Sequence, residues 1–248
     1  EAGADVTGDF DLFLTLRKGD DVHKAVTELE EAVKLGWERL YQEHRAAWAK
    51  FWLRNMVSLG DPGLDQLWYL SNYHLRLGSG VNPAWGLCGP WFGRVPGLSQ
   101  QLPWHGYFTN DYNAQTVPLA LEAINHGELA DGFYRMLHDQ LPEARKNAAG
   151  CEGQGVLYSL SCGPDGREAS DGGYRFCQGS GPYWCTLLYR HWLFSGDEIF
   201  LRETAWDILR ETARFFASYL QWDGTTYHLE CSQNPELKYL TYPDPNDT

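Results

Sequence analysis

Tyr189-Arg190-His191-Trp192-Leu193-Phe194-Ser195-Gly196-Asp197-Glu198-Ile199-Phe200-Leu201-Arg202-Glu203 is the stretch whose reading decides the fold. Upstream of it, Pro182 opens a helix at a position where its missing N–H costs nothing, and Trp184, Leu187, Leu188, His191 and Trp192 recur on one face. Ser195-Gly196-Asp197 closes that helix and starts another, with glycine as the left-handed C-terminal residue and aspartate as the N-cap. Leu201, Ala205, Ile208, Leu209, Thr212, Phe215, Phe216 and Leu220 then carry an apolar face as far as Trp222-Asp223-Gly224. Two antiparallel helices joined by a tight turn are thus the unit from which the chain is built.

The same unit recurs upstream. A helix begins near Asp111 and runs through Val117, Leu121 and Ile124 to Gly127, and a second follows through Leu129, Phe133, Met136 and Leu137. Leu64, Leu67, Trp68, Ser71 and Leu75 mark a helix that ends at Gly78, after a turn at Leu59-Gly60-Asp61-Pro62-Gly63. Between the helices lie two long irregular sections, Ser79 to Thr109 and Gly150 to Gly181, of a length that is usually functional. The second contains short apolar runs at Val156-Leu157-Tyr158 and Tyr174-Arg175-Phe176, and Thr225 to Leu229 reads as a short strand. Stacked helical hairpins whose long loops gather at one end over a central cleft make a mainly α toroid of the (α/α)6, six-hairpin kind. About five barrel helices are expected after Gly63 where a closed ring has twelve, so the ring is expected to be incomplete in this chain.

The first residues have another character. Phe10-Asp11-Leu12-Phe13-Leu14-Thr15-Leu16 reads as one strand ended by Lys18-Gly19-Asp20, and a single strand needs a partner. From Asp21 onward Ala25, Leu29, Ala32, Val33, Leu40, Tyr41, His44, Trp48 and Phe51 follow a helical period, with Gly36 as a possible break. This divides the chain into a β-type tail at residues 1–19, a helical linker at 20–58 and the barrel segment at 59–248. Glu1-Ala2-Gly3-Ala4-Asp5 has neither an initiator Met nor a leader pattern and is read as a cut end.

Composition narrows the function. A net charge of -13 with no cluster of Lys and Arg argues against nucleic acid and anionic membranes as partners, and no apolar run approaches the roughly 20 residues of a membrane span. Cys88, Cys151, Cys162, Cys177, Cys185 and Cys231 form no C-x-x-C pair or zinc-ligand spacing, so free buried thiols and a cytosolic origin are expected. The histidines fall in no metal-binding spacing, and neither a metal nor a cofactor is expected. With 11 Trp and 14 Tyr, the chain has aromatic residues to spare for a concave surface.

Those aromatics concentrate in Leu102-Pro103-Trp104-His105-Gly106-Tyr107-Phe108-Thr109-Asn110-Asp111-Tyr112-Asn113-Ala114-Gln115. Flat rings beside the polar side chains of Asn110, Asp111, Asn113 and Gln115 suit a carbohydrate, whose C–H face stacks and whose hydroxyl rim needs paired hydrogen bonds. Trp91, Trp104 and Tyr107 are the expected stacking walls. Glycoside cleavage needs a proton donor at the leaving oxygen and a group that activates water on the opposite face. Glu236, in a loop and stiffened by Pro235, is the candidate acid, and reads also as an exposed loop glutamate. Asp111 is its candidate opposite, and reads equally as a helix N-cap.

These segments, together with Gly150-Cys151-Glu152-Gly153, the hairpin turn quoted first and Asn234-Pro235-Glu236, resemble in order and spacing the catalytic domain of glycoside hydrolase family 95. The resemblance runs from about Phe10 to Glu236. It implies an inverting glycosidase for α-L-fucosides, α-L-galactosides or related terminal sugars, with an N-terminal β-domain, a helical linker and an (α/α)6 barrel. Glu236 matches the general acid of the family's Ser-Pro-Glu segment. Asp111 and Asn113 match its two water-positioning asparagines, with a carboxylate in place of the first, and Gln115 lies beside them. Val156-Leu157-Tyr158-Ser159-Leu160 stands where the family has a segment with His and Asp, a difference that bears on the sugar accepted. The aspartate that completes the family's site would lie beyond Thr248, so the remainder of the barrel is an expected partner. A related six-hairpin glycosidase or sugar phosphorylase, or a non-catalytic sugar-binding relative, is the alternative.

Overall fold

A computed structural model describes residues 12–15, 21–80, 107–110, 112–169 and 177–229. The chain divides into two compact units, Glu1–Met56 and Val57–Thr248.

The first unit is dominated by α1 (Val22–Trp52), capped by the Asp21 carboxylate, which accepts from the Lys24 N–H. Gly36 breaks it, as its position in the apolar pattern predicts: its φ of 74° and ψ of 163° lie outside the helical region, a conformation open to a residue without Cβ. Exposed pairs one turn apart, Arg39 with Glu43 at 2.6 Å and Gln42 with Glu38 at 2.7 Å, brace the second half. The strand expected at Phe10–Leu16 is not formed by Leu12–Thr15, the part of it that is described. Among the described residues that segment has no strand partner, and an isolated strand has nothing to pair its backbone groups.

The second unit is helical. In chain order come α2 (Pro62–Leu77), β1 (Phe108–Thr109), α3 (Asn113–Ala123), a 3₁₀ turn (Gly127–Ala130), α4 (Asp131–Asp139), α5 (Leu141–Gly150), β2 (Ser161–Cys162), α6 (Ser180–Ser195), α7 (Glu198–Phe200), a π turn (Leu201–Ala205), α8 (Trp206–Tyr219), β3 (Gln221–Trp222) and β4 (Tyr227–His228). The turn between α6 and α7 is built as its residues dictate. Gly196 is left-handed at φ 65° and its N–H bonds the Trp192 carbonyl at 2.8 Å, while one oxygen of Asp197 accepts from Ile199 and Phe200 N–H, both at 2.9 Å. The apolar pattern did not separate α5 from α4. Pro142 stands in the first turn of α5, a proline position that begins a helix. The strand expected at Thr225–Leu229 is shorter, β4 alone, and pairs antiparallel with β3.

Trp184, Leu188, Tyr134, Phe133, Leu121, Leu137, Tyr158, Phe215 and Ile208 are the largest apolar side chains with essentially no exposure. They come from α3, α4, α6, α8 and the segment before β2, so one core joins both hairpins. α3 packs on α6 and α6 on α8. Near their starts Gln115 meets Ser180, and near their ends Glu122 meets His191, so α3 and α6 run parallel. The described residues that lead into the two helices, 107–110 and 177–179, therefore lie at the same end of the unit, the end at which a six-hairpin toroid holds its cleft.

Candidate active site

Residues Tyr107 to Asn110 lead into α3, and their backbone is fixed by a two-residue ladder in which Phe108 faces Cys162 and Thr109 faces Ser161. Asn110 is the centre of this junction. It is 1% exposed; its N–H donates to the Leu160 carbonyl at 2.6 Å, its Nδ2 donates to the Ser159 carbonyl at 2.9 Å, and its Oδ1 accepts from the indole Nε1 of the fully buried Trp184 at 3.2 Å. The same amide lies 3.7 Å from the Cys162 Sγ, which the Gln140 amide approaches from another side at 3.8 Å. Burial pushes the Cys162 thiol up to about 12, so it is a neutral filler of the junction. Ser159 is held in turn: its hydroxyl donates to the Gly166 carbonyl at 2.9 Å and accepts from Asn147 Nδ2 at 3.1 Å.

Gln115 makes the second tie. At 1% exposure its Nε2 donates to the Ser180 carbonyl at 3.1 Å and its Oε1 accepts from the Tyr112 N–H at 3.0 Å, the return half of a capping box. Between the two ties sits Tyr112, the N-cap of α3, at φ 83° and ψ −46°. A bulky side chain at positive φ is a strained state that persists only where its surroundings over-determine it. Here they do: Asn110 locks one side and Gln115 the other.

The residues expected to carry chemistry divide accordingly. Glu236, Asp111, Trp91 and Trp104 lie outside the described residues. Asn113 is exposed at the first position of α3, and Tyr107 is half-buried just ahead of β1. Asn110 and Gln115, which the sequence offers as sugar-facing amides alongside Asp111 and Asn113, instead spend their hydrogen bonds within the protein, on backbone carbonyls, the Tyr112 N–H, the Cys162 sulfur and an indole. The N-cap of α3 falls on Tyr112 and not on Asp111. No motif marks Asn110 as the hub, because its partner Trp184 is 74 residues away.

The far ends of α3 and α6 carry a different device. Glu122 and His191 meet at 2.5 Å with side chains 6% and 7% exposed. A Cβ at Gly127 would overlap the Glu122 carboxylate, so glycine makes room for it. The imidazole is enclosed by Phe200 and Tyr134, at ring distances of 4.4 and 5.1 Å. Burial, with the Glu122 carboxylate adding to it, pushes the Tyr134 phenol well above its ordinary range. This pair has all the burial of a catalytic dyad, but it lies toward the C-terminal ends of α3 and α6, away from the end that carries Asn113.

Comparison with known proteins gives these features a family. Residues 21–247 match the model of the glycosyl hydrolase family 95 catalytic domain. Kojibiose phosphorylase of Halothermothrix orenii is 26% identical over 222 residues, covering 83% of this chain and 27% of that protein. Kojibiose hydrolase of Flavobacterium johnsoniae is 25% identical over 228 residues, covering 87% of this chain and 31% of that protein. A solved chain described as a candidate kojibiose phosphorylase from human microbiome shares the fold at a TM-score of 0.69 and 16% identity, over 86% of this chain and 28% of that one. The chain therefore spans less than a third of the length of each of these relatives. With the helical hairpins, the parallel α3 and α6 and the family match over 21–247, this chain belongs to the glycosyl hydrolase family 95 catalytic domain family.

Proposed function

We propose that this chain is part of an enzyme that cleaves a terminal glycosidic bond with inversion, Glu236 acting as general acid and Asp111 with Asn113 holding the attacking water. The proton of the Glu236 carboxyl passes to the glycosidic oxygen as its bond to the anomeric carbon breaks. A water oxygen bonds to that carbon from the opposite face and gives its proton to the Asp111 carboxylate. Inversion calls for carboxyls about 6.5–9.5 Å apart, with the water between them. Trp91, Trp104 and Tyr107 would stack on the sugar. Gln115 is assigned an indirect part, fixing the entry to α3 on which Asn113 is carried.

The observation that carries this reading is the doubly tied, strained Tyr112, which stands between Asp111 and Asn113 at the loop end of α3. Strain of this kind gathers where a site has to be held in one geometry. For the sugar, the kojibiose-acting relatives put an α-glucoside of the kojibiose kind ahead of α-L-fucosides and α-L-galactosides. Because one relative is a phosphorylase, phosphorolysis is the second reading. In the complete polypeptide, Glu236→Gln is expected to lower turnover of an unactivated glycoside by about 10²–10⁴-fold, the usual weight of a general acid. An unchanged rate would take Glu236 out of that role, and turnover that rises with inorganic phosphate would decide for phosphorolysis.

A further inference from the structure

A carboxylate reaches the Asn110 junction from the edge of its ladder. Residues 167–169 run beside β2: Glu168 bridges Cys162, the Ala169 N–H donates to the Ser161 carbonyl at 2.7 Å, and the Gly163 N–H donates to the Arg167 carbonyl at 3.3 Å. Glu168 is half-buried there, and its Oε2 accepts from the Leu160 N–H at 3.2 Å. The other side chains placed at this junction, Asn110, Gln140, Ser159, Cys162 and Trp184, are uncharged. A turn that needed only closing is served by a neutral acceptor, and an ionised one makes a hydrogen bond roughly twice as strong.

The consequence lies on the other side of the same peptide unit. The Leu160 N–H and the Ser159 carbonyl belong to one planar group and point in opposite directions. On the carbonyl side Asn110 Nδ2 donates at 2.9 Å, and Asn110 Oδ1 accepts in turn from Trp184 Nε1 at 3.2 Å. Carboxylate, peptide, carboxamide and indole thus stand in one head-to-tail file, in which each bond polarises the next. Charge at the acceptor end strengthens such a file along its length in a low-dielectric interior. The field of Glu168 is felt inside the junction: burial pushes the Cys162 thiol up, and the Glu168 carboxylate adds to that effect. The Asn110 backbone is referred to the same segment, its N–H bonding the Leu160 carbonyl at 2.6 Å.

We propose that Glu168 is a positioning residue for the reaction: its charge, relayed through the peptide between Ser159 and Leu160 and the Asn110 carboxamide, fixes the backbone from which Asp111 departs. It touches no substrate in this role.

This inference rests on the glycosidase reading, and one set of variants of the complete polypeptide tests the two separately. Glu168→Gln keeps an acceptor and removes the charge, while Glu168→Ala removes both; the first decides the matter if the second does not fold. The protein is made with isotope-labelled tryptophan, and the Trp184 indole N–H is assigned in NMR spectra by its loss in Trp184→Phe. Turnover is followed on kojibiose and on nitrophenyl α-L-fucoside and α-L-galactoside. In Glu168→Gln the Trp184 indole proton is expected to move upfield, as its hydrogen bond to Asn110 weakens, with Tm nearly unchanged. On the glycoside that is turned over, kcat should fall about 5-fold at unchanged KM, the difference between a charged and a neutral acceptor. Glu168→Ala should go further in the same direction. A merely structural acceptor is restored by glutamine, so an unmoved resonance in Glu168→Gln overturns the proposal, and so does a moved resonance with kcat unchanged. Either result, with a glycoside turned over by the wild type, costs Glu168 its role and leaves the glycosidase reading standing. If the wild type turns over none of the glycosides, that reading falls and the positioning role falls with it.

Discussion

The Gln115–Ser180 and Glu122–His191 contacts join the same two helices about 10 Å apart along α3, yet they are built from opposite materials. At the loop end the ties made by Asn110, Gln115 and Ser159 are neutral: an amide on a carbonyl, an amide on an indole, a hydroxyl on a carbonyl. Strain at Tyr112 and the unpaired hydroxyls of Thr109 and Ser180 are tolerated there. At the far end an ionisable pair is sealed by aromatic rings, with a glycine where its carboxylate needs space. The difference separates two duties of a helical barrel. One end joins α3 to α6 through a sealed ionisable pair, and the other fixes the strained entry to α3 through neutral hydrogen bonds.

The largest effect should come from the far end. His191→Ala leaves the Glu122 carboxylate buried without its partner, which for a broken buried pair amounts to roughly 3–5 kcal/mol. Denaturant unfolding of the complete polypeptide is expected to show that loss, with kcat per folded molecule unchanged. A fall in kcat at full folding would mean that the pair belongs to the site, and the division of duties would be wrong. At the loop end, Asn110→Ala deprives the Trp184 N–H of its acceptor and the Ser159 carbonyl of its donor. A buried group left unsatisfied costs about 1–3 kcal/mol. Here activity should fall further than stability, because the residue next to Asn110 is Asp111; loss of stability alone would make the junction mere scaffold.

The smallest effect concerns pH, and it should arise at the far end only. Burial raises the Asp131 carboxyl above its ordinary value, against the lowering influence of His191 and Arg135. A carboxyl whose folded pKa is raised favours the fold while protonated, below its unfolded pKa near 3.8, and that contribution is lost as pH rises through the higher folded value. Asp131→Asn is therefore expected to be slightly more stable than wild type at neutral pH, by under about 1 kcal/mol given its half-exposed position. The difference should close as the pH falls below 4, in Tm measured across the range. A gain that does not vary with pH would assign it to something other than the charge.

How much of this the sequence disclosed follows the range of the forces involved. The turn at Ser195-Gly196-Asp197 and the break at Gly36 were legible because both are set within a few residues, by φ and by one capping carboxylate. The helical faces were legible from their period. The α4 to α5 junction was missed because the apolar pattern runs on past Pro142, and the proline there reads as a start only once the preceding helix is seen to stop. In the candidate site the sequence singled out a loop of carboxamides without sorting those that face a ligand from those that face the protein. Asn110 and Asn113 are three residues apart and of one type. Only Trp184, far along the chain, and the ladder to Ser161 and Cys162 make the first a strut and leave the second exposed.

Cys162 gives that junction a chemical clock. Its sulfur is enclosed between the amides of Asn110 and Gln140, and with the thiol held at about 12 almost none of it is thiolate at neutral pH. An alkylating reagent therefore meets no nucleophile there until the ladder between β1 and β2 parts. The rate at which Cys162 is modified in the native protein counts those openings.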